Sequence, residues 1–245
     1  MREAEQLLQG YQDFEDRVRD GKIAAVHDDR AWIMLADGAL IQVNLATGEK
    51  EVMLTGLAEL PPIAFRDADG AMAVAAGNEI LLYLPGDSEP IRTSLGTERG
   101  GSLCFRGDDL LVVCDSGYLL RFDETMTQQN RIGLTITYSF STDLFSKYAD
   151  IRGITWEFTP DNRLYLNLFN AMNVIDCENW GNIAFVPRCL MYDVASRQFL
   201  CSSVYNDILR AITHYSTEEL MDIAREKLGS FTLSESQRQA YGLES

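Results

Sequence analysis

Few side chains in this sequence are of types that do covalent chemistry, and their spacing narrows what they can do. The histidines are two, His27 and His214, one in a short apolar stretch and one just ahead of a helix-like run. His27 precedes Asp28 and Asp29, a context in which a histidine ordinarily serves as a hydrogen-bonded turn residue rather than a general base. No GxSxG nucleophile elbow, GxxxxGK phosphate cradle or HExxH zinc pair is present. The five cysteines, Cys104, Cys114, Cys177, Cys189 and Cys201, form an odd set without CxxC spacing, which argues against a disulfide framework or a zinc site. They read as buried free thiols. Cys177 and Cys189 flank the turn-like Asn179-Trp180-Gly181-Asn182 and are the pair expected to face one another across a hairpin. No residue is assigned to catalysis, to a cofactor or to a metal.

Acidic turns are the pattern that recurs. Asp28 and Asp29, Asp67 and Asp69, Asp108 and Asp109, and Asp161 each fall between two short apolar runs. Turns that emerge on one end of a repeated structure would bring these carboxylates into a rim able to draw Ca²⁺ or a basic partner surface. The plainer account is that Asp is an ordinary turn former. Two longer stretches carry aromatics: Ile136–Arg152, with Tyr138, Phe140, Phe145 and Tyr148, and Asn170–Pro187, with Trp180 and Phe185. Each is either a partner-binding loop, since aromatics offer contact area at small entropic cost, or a segment packed beneath a sheet.

The elements that must position these residues follow from periodicity. Residues 2 to 19 carry Leu7, Leu8, Tyr11, Phe14 and Val18 at helical spacing, and Asp20-Gly21 stops the run. That stripe packs on the sheets that follow or on another chain. From Lys22 the period changes to two. Lys22–His27, Ala31–Leu35, the run through Leu40 to Leu45, and Glu51–Leu54 read as four antiparallel strands. A second copy reads as Pro62–Phe65, Ala71–Ala75, Ile80–Leu84 and Pro90–Leu95, and a third as Gly101–Phe105, Leu110–Cys114, Tyr118–Phe122 and Gln128–Thr135. A fourth opens with Ile154–Phe158 and Arg163–Leu168, is expanded by Asn170–Pro187, and closes with Arg188–Val194 and Gln198–Val204. Leu45, Leu84 and Phe122 are placed at equivalent ends of the third strand, at a period of about 40 residues. Four strands per repeat at that period is the signature of propeller blades, because one small sheet has a face it can bury only against its neighbour.

Tyr192-Asp193-Val194-Ala195-Ser196 and Val43-Asn44-Leu45-Ala46-Thr47-Gly48-Glu49 resemble the outer hairpin of WD-repeat-like or quinoprotein-like β-propeller repeats, in which a YDxxTGK-like string joins the third and fourth strands. The resemblance covers about residues 22 to 204. The Trp-Asp and Gly-His signatures of WD repeats and a quinone-site residue set are absent. The fold class expected is mainly β, a propeller-like array of about four four-stranded blades as a small closed ring or an open arc, with fragment completion by another chain as a third arrangement. The domains expected are an N-terminal helix (1–20), the propeller-like domain (21–204) and a C-terminal helical tail (205–245). In that tail Asp207–Thr213 reads as a short helix, Ser216-Thr217-Glu218-Glu219 as a capping box before a helix with Leu220, Ile223, Ala224 and Leu228 on its apolar face, and Ser234–Gln237 as the start of another.

Composition limits the partners. With 245 residues and 46% hydrophobic content the chain can bury a substantial core. Lys plus Arg is 21 against 37 for Asp plus Glu, a formal net charge of −16, and that sign repels phosphate backbones and anionic lipid. Nucleic acid and membrane are therefore not expected partners. No apolar run reaches the ~20 residues a membrane helix needs, and the opening MREAEQLLQG is charged where a secretory leader is apolar, so a cytoplasmic location is expected. The function expected is a non-catalytic interaction or scaffold module whose partner is another protein or a second copy of the chain. The alternative is a carbohydrate-active or other hydrolytic propeller, which needs two acids converging on one cleft. Among the strands that open each repeat, Glu157 is the only acid identified.

Overall fold

Turn chemistry and period-two patterning divide the chain into short antiparallel strands in the computed structural model, which describes residues 21–135, 154–168, 171–202 and 209–228. The first sheet is β1 (Lys22–His27), β2 (Arg30–Met34), β3 (Leu40–Asn44) and β4 (Lys50–Leu54). The second is β5 (Ile63–Phe65), β6 (Met72–Ala76), β7 (Glu79–Tyr83) and β8 (Ile91–Ser94). β9 (Gly100–Arg106), β10 (Asp109–Cys114), β11 (Tyr118–Phe122) and β12 (Gln128–Gly133) make the third, and β13 (Ile154–Phe158), β14 (Arg163–Leu168), β15 (Ala171–Asp176) and β16 (Gly181–Pro187) the fourth. A three-stranded fifth sheet consists of β17 (Cys189–Asp193), β18 (Gln198–Ser202) and β19 (Leu209–Thr213), followed, among the described residues, by a helix, α1 (Thr217–Leu228). All five sheets are meanders in chain order with antiparallel pairing throughout. The protein is mainly β, an array of blade-like antiparallel sheets as the repeats predict.

The chain divides into two compact units, Met1–Pro187 and Arg188–Ser245. In the first, the second and third sheets each bury both faces because alternate residues belong to different neighbours. From the second sheet Ala71, Ala73, Ala75, Ile80 and Leu82 meet Leu110, Val112, Leu120 and Phe122 of the third. Its other face, Met72, Val74 and Leu81, meets Trp32 and Leu40 of the first. Leu111, Val113 and Leu119 of the third meet Leu164, Leu166 and Ile175 of the fourth. The first strands β1, β5 and β9 adjoin one another, and the approach between the second and third sheets is close: a Cβ on Gly100 would lie 2.7 Å from Ala75 Cβ. Gly38 has φ of 79° in the turn between β2 and β3, and a Cβ there would meet the Leu57 carbonyl oxygen at 2.4 Å.

Four expectations are corrected. Asn170–Pro187 is no insertion: Ala171–Asp176 and Gly181–Pro187 are the third and fourth strands of the fourth sheet. Asn173 hides the strand, a polar residue in a buried run, yet it is 0% exposed because its side chain accepts from Thr135 N (2.8 Å) and donates to Thr135 O (3.2 Å). The strands after Arg188 consequently belong to a fifth sheet, completed by Leu209–Thr213, where a helix was expected; backbone pairing with β18 outweighs weak helical patterning. The equivalence of Leu45, Leu84 and Phe122 does not hold, since the register aligns Val43, Tyr83 and Phe122, opposite Ala31, Met72 and Leu110, two residues before Leu45 and one before Leu84. Leu45 is exposed, and Leu84 packs into the interface that Phe122 enters from the other sheet. Cys189 faces Cys201 across β17 and β18 rather than Cys177, which follows β15 and is buried among the residues of the third and fourth sheets.

The expected capping box is present. Glu219 N donates to Ser216 Oγ (3.2 Å), and Ser216 N donates to the Glu219 carboxylate (2.6 Å). Leu220 and Ala224 are exposed and Ile223 is half-buried. The proposed helix at 2–19, the aromatic stretch 136–152 and the segment from 229 onward lie outside the described residues.

Candidate functional site

In a four-stranded meander the first and third turns emerge at the same end, so each sheet of the first unit contributes two turns to one end. The sequence loads those turns with acid. Asp28 and Asp29 follow β1, Asp67 and Asp69 follow β5, Asp108 lies between β9 and β10, Asp109 opens β10, and Asp161 follows β13. Glu49, Asp87, Glu89, Asp123, Glu124 and Glu178 enter from the third turns.

A repeated strut holds this end together. Arg66 follows β5; its guanidinium lies 5.7 Å from the ring centroid of Phe105 on β9 and donates to Asp108 at 3.4 Å. Arg106, at the same register one sheet later, lies 5.8 Å from the Phe158 ring and donates to Asn162 Oδ1. In the first sheet His27 takes that position, stacked on Phe65 with centroids 4.3 Å apart and planes 5° from parallel. Phe65, Phe105 and Phe158 share one place, each opposite the first core residue of the second strand, Met72, Leu110 and Leu164. The acids and the aromatics were legible separately. What went unread was the Phe-Arg pair at 65–66 and again at 105–106, whose recurrence at the blade period is the signal that would have located the struts.

Charge at this end is layered. Arg66 donates through Nε and Nη2 to both oxygens of Asp69, at 2.9 and 2.7 Å. The Arg66 side chain is only 11% exposed, whereas Asp69 is 41% and Asp108 72%. The Arg66 bond, with a further bond from Ala71 N, holds Asp69 down at about 2. Asp123 is lowered by its Thr125 and Thr127 bonds, and Asp176 by Asn179 and Glu178 N. Asp109 accepts from Arg121 at 2.8 Å and Asp161 lies 3.3 Å from Arg163. Asp28 sits 3.6 Å from His27 Nε2, its side chain 83% exposed. Arg66 is thus tucked inward beneath the more exposed Asp69 and Asp108.

Between the first and second sheets at this end lies a cleft of about 620 Å³ bordered by His27, Asp28, Trp32, Phe65, Asp69 and Tyr83. Trp32 is buried, and its indole N–H has no hydrogen-bond partner. Among the described residues no three His, Cys, Asp or Glu side chains come together in a metal-holding group. Glu157 is exposed on β13, opposite Tyr165. His214 lies 3.4 Å from the Tyr192 hydroxyl and against Phe199, well away in sequence from His27.

The aromatics divide. Tyr138, Phe140, Phe145 and Tyr148 lie outside the described residues. Trp180 is buried at 9% exposure in the cluster shared by the third and fourth sheets, with Arg121 4.8 Å and Arg106 5.7 Å from its ring. No helix among the described residues is long and apolar enough to cross a membrane.

With this geometry in place, comparison with known proteins bears on fold. A region of the crystal structure of the mitotic checkpoint complex is similar, with a TM-score of 0.53 at 9% identity over 76% of this chain and 60% of that one. The structure of apo AztD from Citrobacter koseri is similar with a TM-score of 0.45 at 14% identity, over 66% of this chain and 45% of that one. The chain therefore spans less than two thirds of the length of either. No family model and no curated protein matches. Successive antiparallel blade-like sheets and the checkpoint-complex likeness together define a propeller-like, mainly β protein.

Proposed function

We propose that the chain is a non-catalytic interaction module that docks a basic surface of another protein on the acidic end of its first unit. The observation that carries this reading is the layering of charge: Arg66 is folded inward against Phe105 while Asp69 and Asp108 face solvent. An end built this way presents a negative field to a partner while its own cations serve as internal struts. Such fields steer association and set register. The rim consists of Asp28, Asp29, Asp67, Asp69, Asp108, Asp109 and Asp161, and the partner is recognised by Lys and Arg. Similarity to a chain from a protein complex agrees with an interaction role. The aromatic stretch at 136–152, with Tyr138, Phe140, Phe145 and Tyr148, is a second contact region in this reading.

Two variants of equal charge change test it. One carries Asp28→Asn, Asp67→Asn and Asp161→Asn; the other carries Asp37→Asn, Glu59→Gln and Asp115→Asn, on turns and loops at the opposite end. Proteins captured from the native extract are quantified for each at low and physiological salt. The expected result is a partner lost with the first variant, retained with the second and weakened by salt. Equal capture by both variants, or loss with both, would sink the proposal. Light scattering of the wild type separates a second copy from a different partner.

A further inference from the structure

We propose that Cys189 and Cys201 form a cross-strand dithiol that a hydroperoxide converts to a disulfide within the three-stranded sheet of the second unit. The two residues are direct register partners on β17 and β18. Ser202 N donates to Arg188 O at 2.9 Å, which makes 188/202 the hydrogen-bonded position and places 189/201 at the adjoining narrow one. At such a position Cα atoms stand about 4.5 Å apart and side chains lie close, at the short end of the ~4.4–6.8 Å range that a disulfide spans. Both thiols are free and buried, and the ladder already orients them toward one another.

The other three cysteines lack this arrangement. Cys104 stands opposite Leu111, Cys114 opposite Gly100, and Cys177 lies beyond the end of β15. None has a cysteine as its register partner.

The two sulfurs are not equivalent. Cys189 is fully buried, and its thiol donates to Met191 O at 3.2 Å. Burial first, then the charge of Cys201 and the bond with it, push Cys189 up to about 12. Cys201 is raised by burial, but its bond with Cys189 works in the opposite direction. Cys201, at 7% exposure against 0% for Cys189, is the less enclosed of the two thiols and the one assigned the first attack. Its thiolate attacks the nearer peroxide oxygen; the O–O bond breaks, the alcohol or water leaves with a proton, and Cys201 becomes a sulfenic acid. The Cys189 sulfur then attacks the Cys201 sulfur. The S–S bond forms, the S–O bond breaks, and water departs carrying the Cys189 proton. Overall two thiols and one hydroperoxide give one disulfide, one alcohol or water, and one further water, with two electrons passing from sulfur to the O–O bond.

Trypsin makes the test direct, because it cleaves at Arg188 and Arg197 and so places the two cysteines in separate peptides. The folded full chain is treated with hydrogen peroxide, alkylated, digested without reduction and analysed by mass spectrometry. The expected product is the Cys189 peptide joined to the Cys201 peptide, lighter by two hydrogens than their sum and separated by reductant. Its formation rate should rise about tenfold per pH unit near neutrality, as the thiolate fraction does. In Cys189→Ser, dimedone should trap a sulfenic acid on Cys201 that the wild type does not accumulate. Recovery of both cysteines as alkylated thiols, linkage of either to another cysteine, or over-oxidation of Cys201 with Cys189 still reduced would overturn the proposal. The wild-type peptide map decides the matter even if the serine variant fails to fold.

Discussion

The guanidinium of Arg66 lies over the ring of Phe105, 5.7 Å from its centroid, and so ties the second sheet to the third at the acidic end of the first unit. The same group holds Asp69 through both its oxygens and reaches Asp108 on the next turn. An arginine that is 9% exposed and bonded in this way acts as a structural strut. Arg66→Ala removes the cation over the ring and the donor shared by Asp69 and Asp108, and should cost about 2 kcal/mol, measured as the fall in the urea midpoint. Arg66→Lys should recover less than half of that, because an ammonium lacks the planar fork that meets Asp69. Full recovery by lysine would show that only the charge matters.

Acid should weaken the first unit through the same contact. Asp69 is held at about 2 in the folded chain, chiefly by the Arg66 bond, against roughly 3.9 unfolded. Its folded value is depressed, so its contribution is complete above about pH 4 and is lost as the pH falls through about 2. Tm measured from pH 5 to pH 2 should decline less steeply in Asp69→Asn than in the wild type. Parallel curves would remove Asp69 from the acid response.

Close approach should be intolerant of added volume. At Gly100 a Cβ would meet Ala75 Cβ at 2.7 Å, and at Gly38 a left-handed φ coincides with a backbone oxygen at 2.4 Å. Gly38→Ala should destabilise by about 1 to 3 kcal/mol, since neither strain nor clash can be relieved by a rotamer change. Gly48 is also at positive φ, but a Cβ there would have nothing within 4 Å, so its alanine variant should lose less. Thermal melts of the two variants give the comparison.

Trp180 should behave as a core residue. Its ring is enclosed between the third and fourth sheets beneath Arg106 and Arg121, so Trp180→Ala should cost about 3 to 5 kcal/mol. Chemical denaturation reads this directly, and a variant as stable as the wild type would restore a surface role for the indole.

The helix of the second unit depends on its cap. Ser216→Ala removes the acceptor for Glu219 N and should cost about 1 kcal/mol. Hydrogen exchange of the first-turn amides of α1 should accelerate accordingly, with that of β10 unaltered.

Much of the architecture was written in the chain. Alternation through residues 22 to 133 marks twelve strands because each small sheet has two faces, and period-two patterning is the residue-level form of that requirement. The capping box was equally legible, since its partners are three residues apart and need no distant contact. The acidic turns were readable as turns, but not as one layer of an arginine–carboxylate lattice.

Tertiary packing decided the rest, for one physical reason: a side chain's meaning depends on what lies across from it. Asn173 reads as a break in a strand until the backbone of Thr135 satisfies its amide. Cys189 reads as the partner of Cys177 until the ladder sets it against Cys201. Arg66 and Phe105, nearly one repeat apart in sequence, become neighbours only when successive sheets stack. Local order fixes period and turn; the partner across the interface is chosen by burial and hydrogen bonding over distances that sequence spacing does not encode.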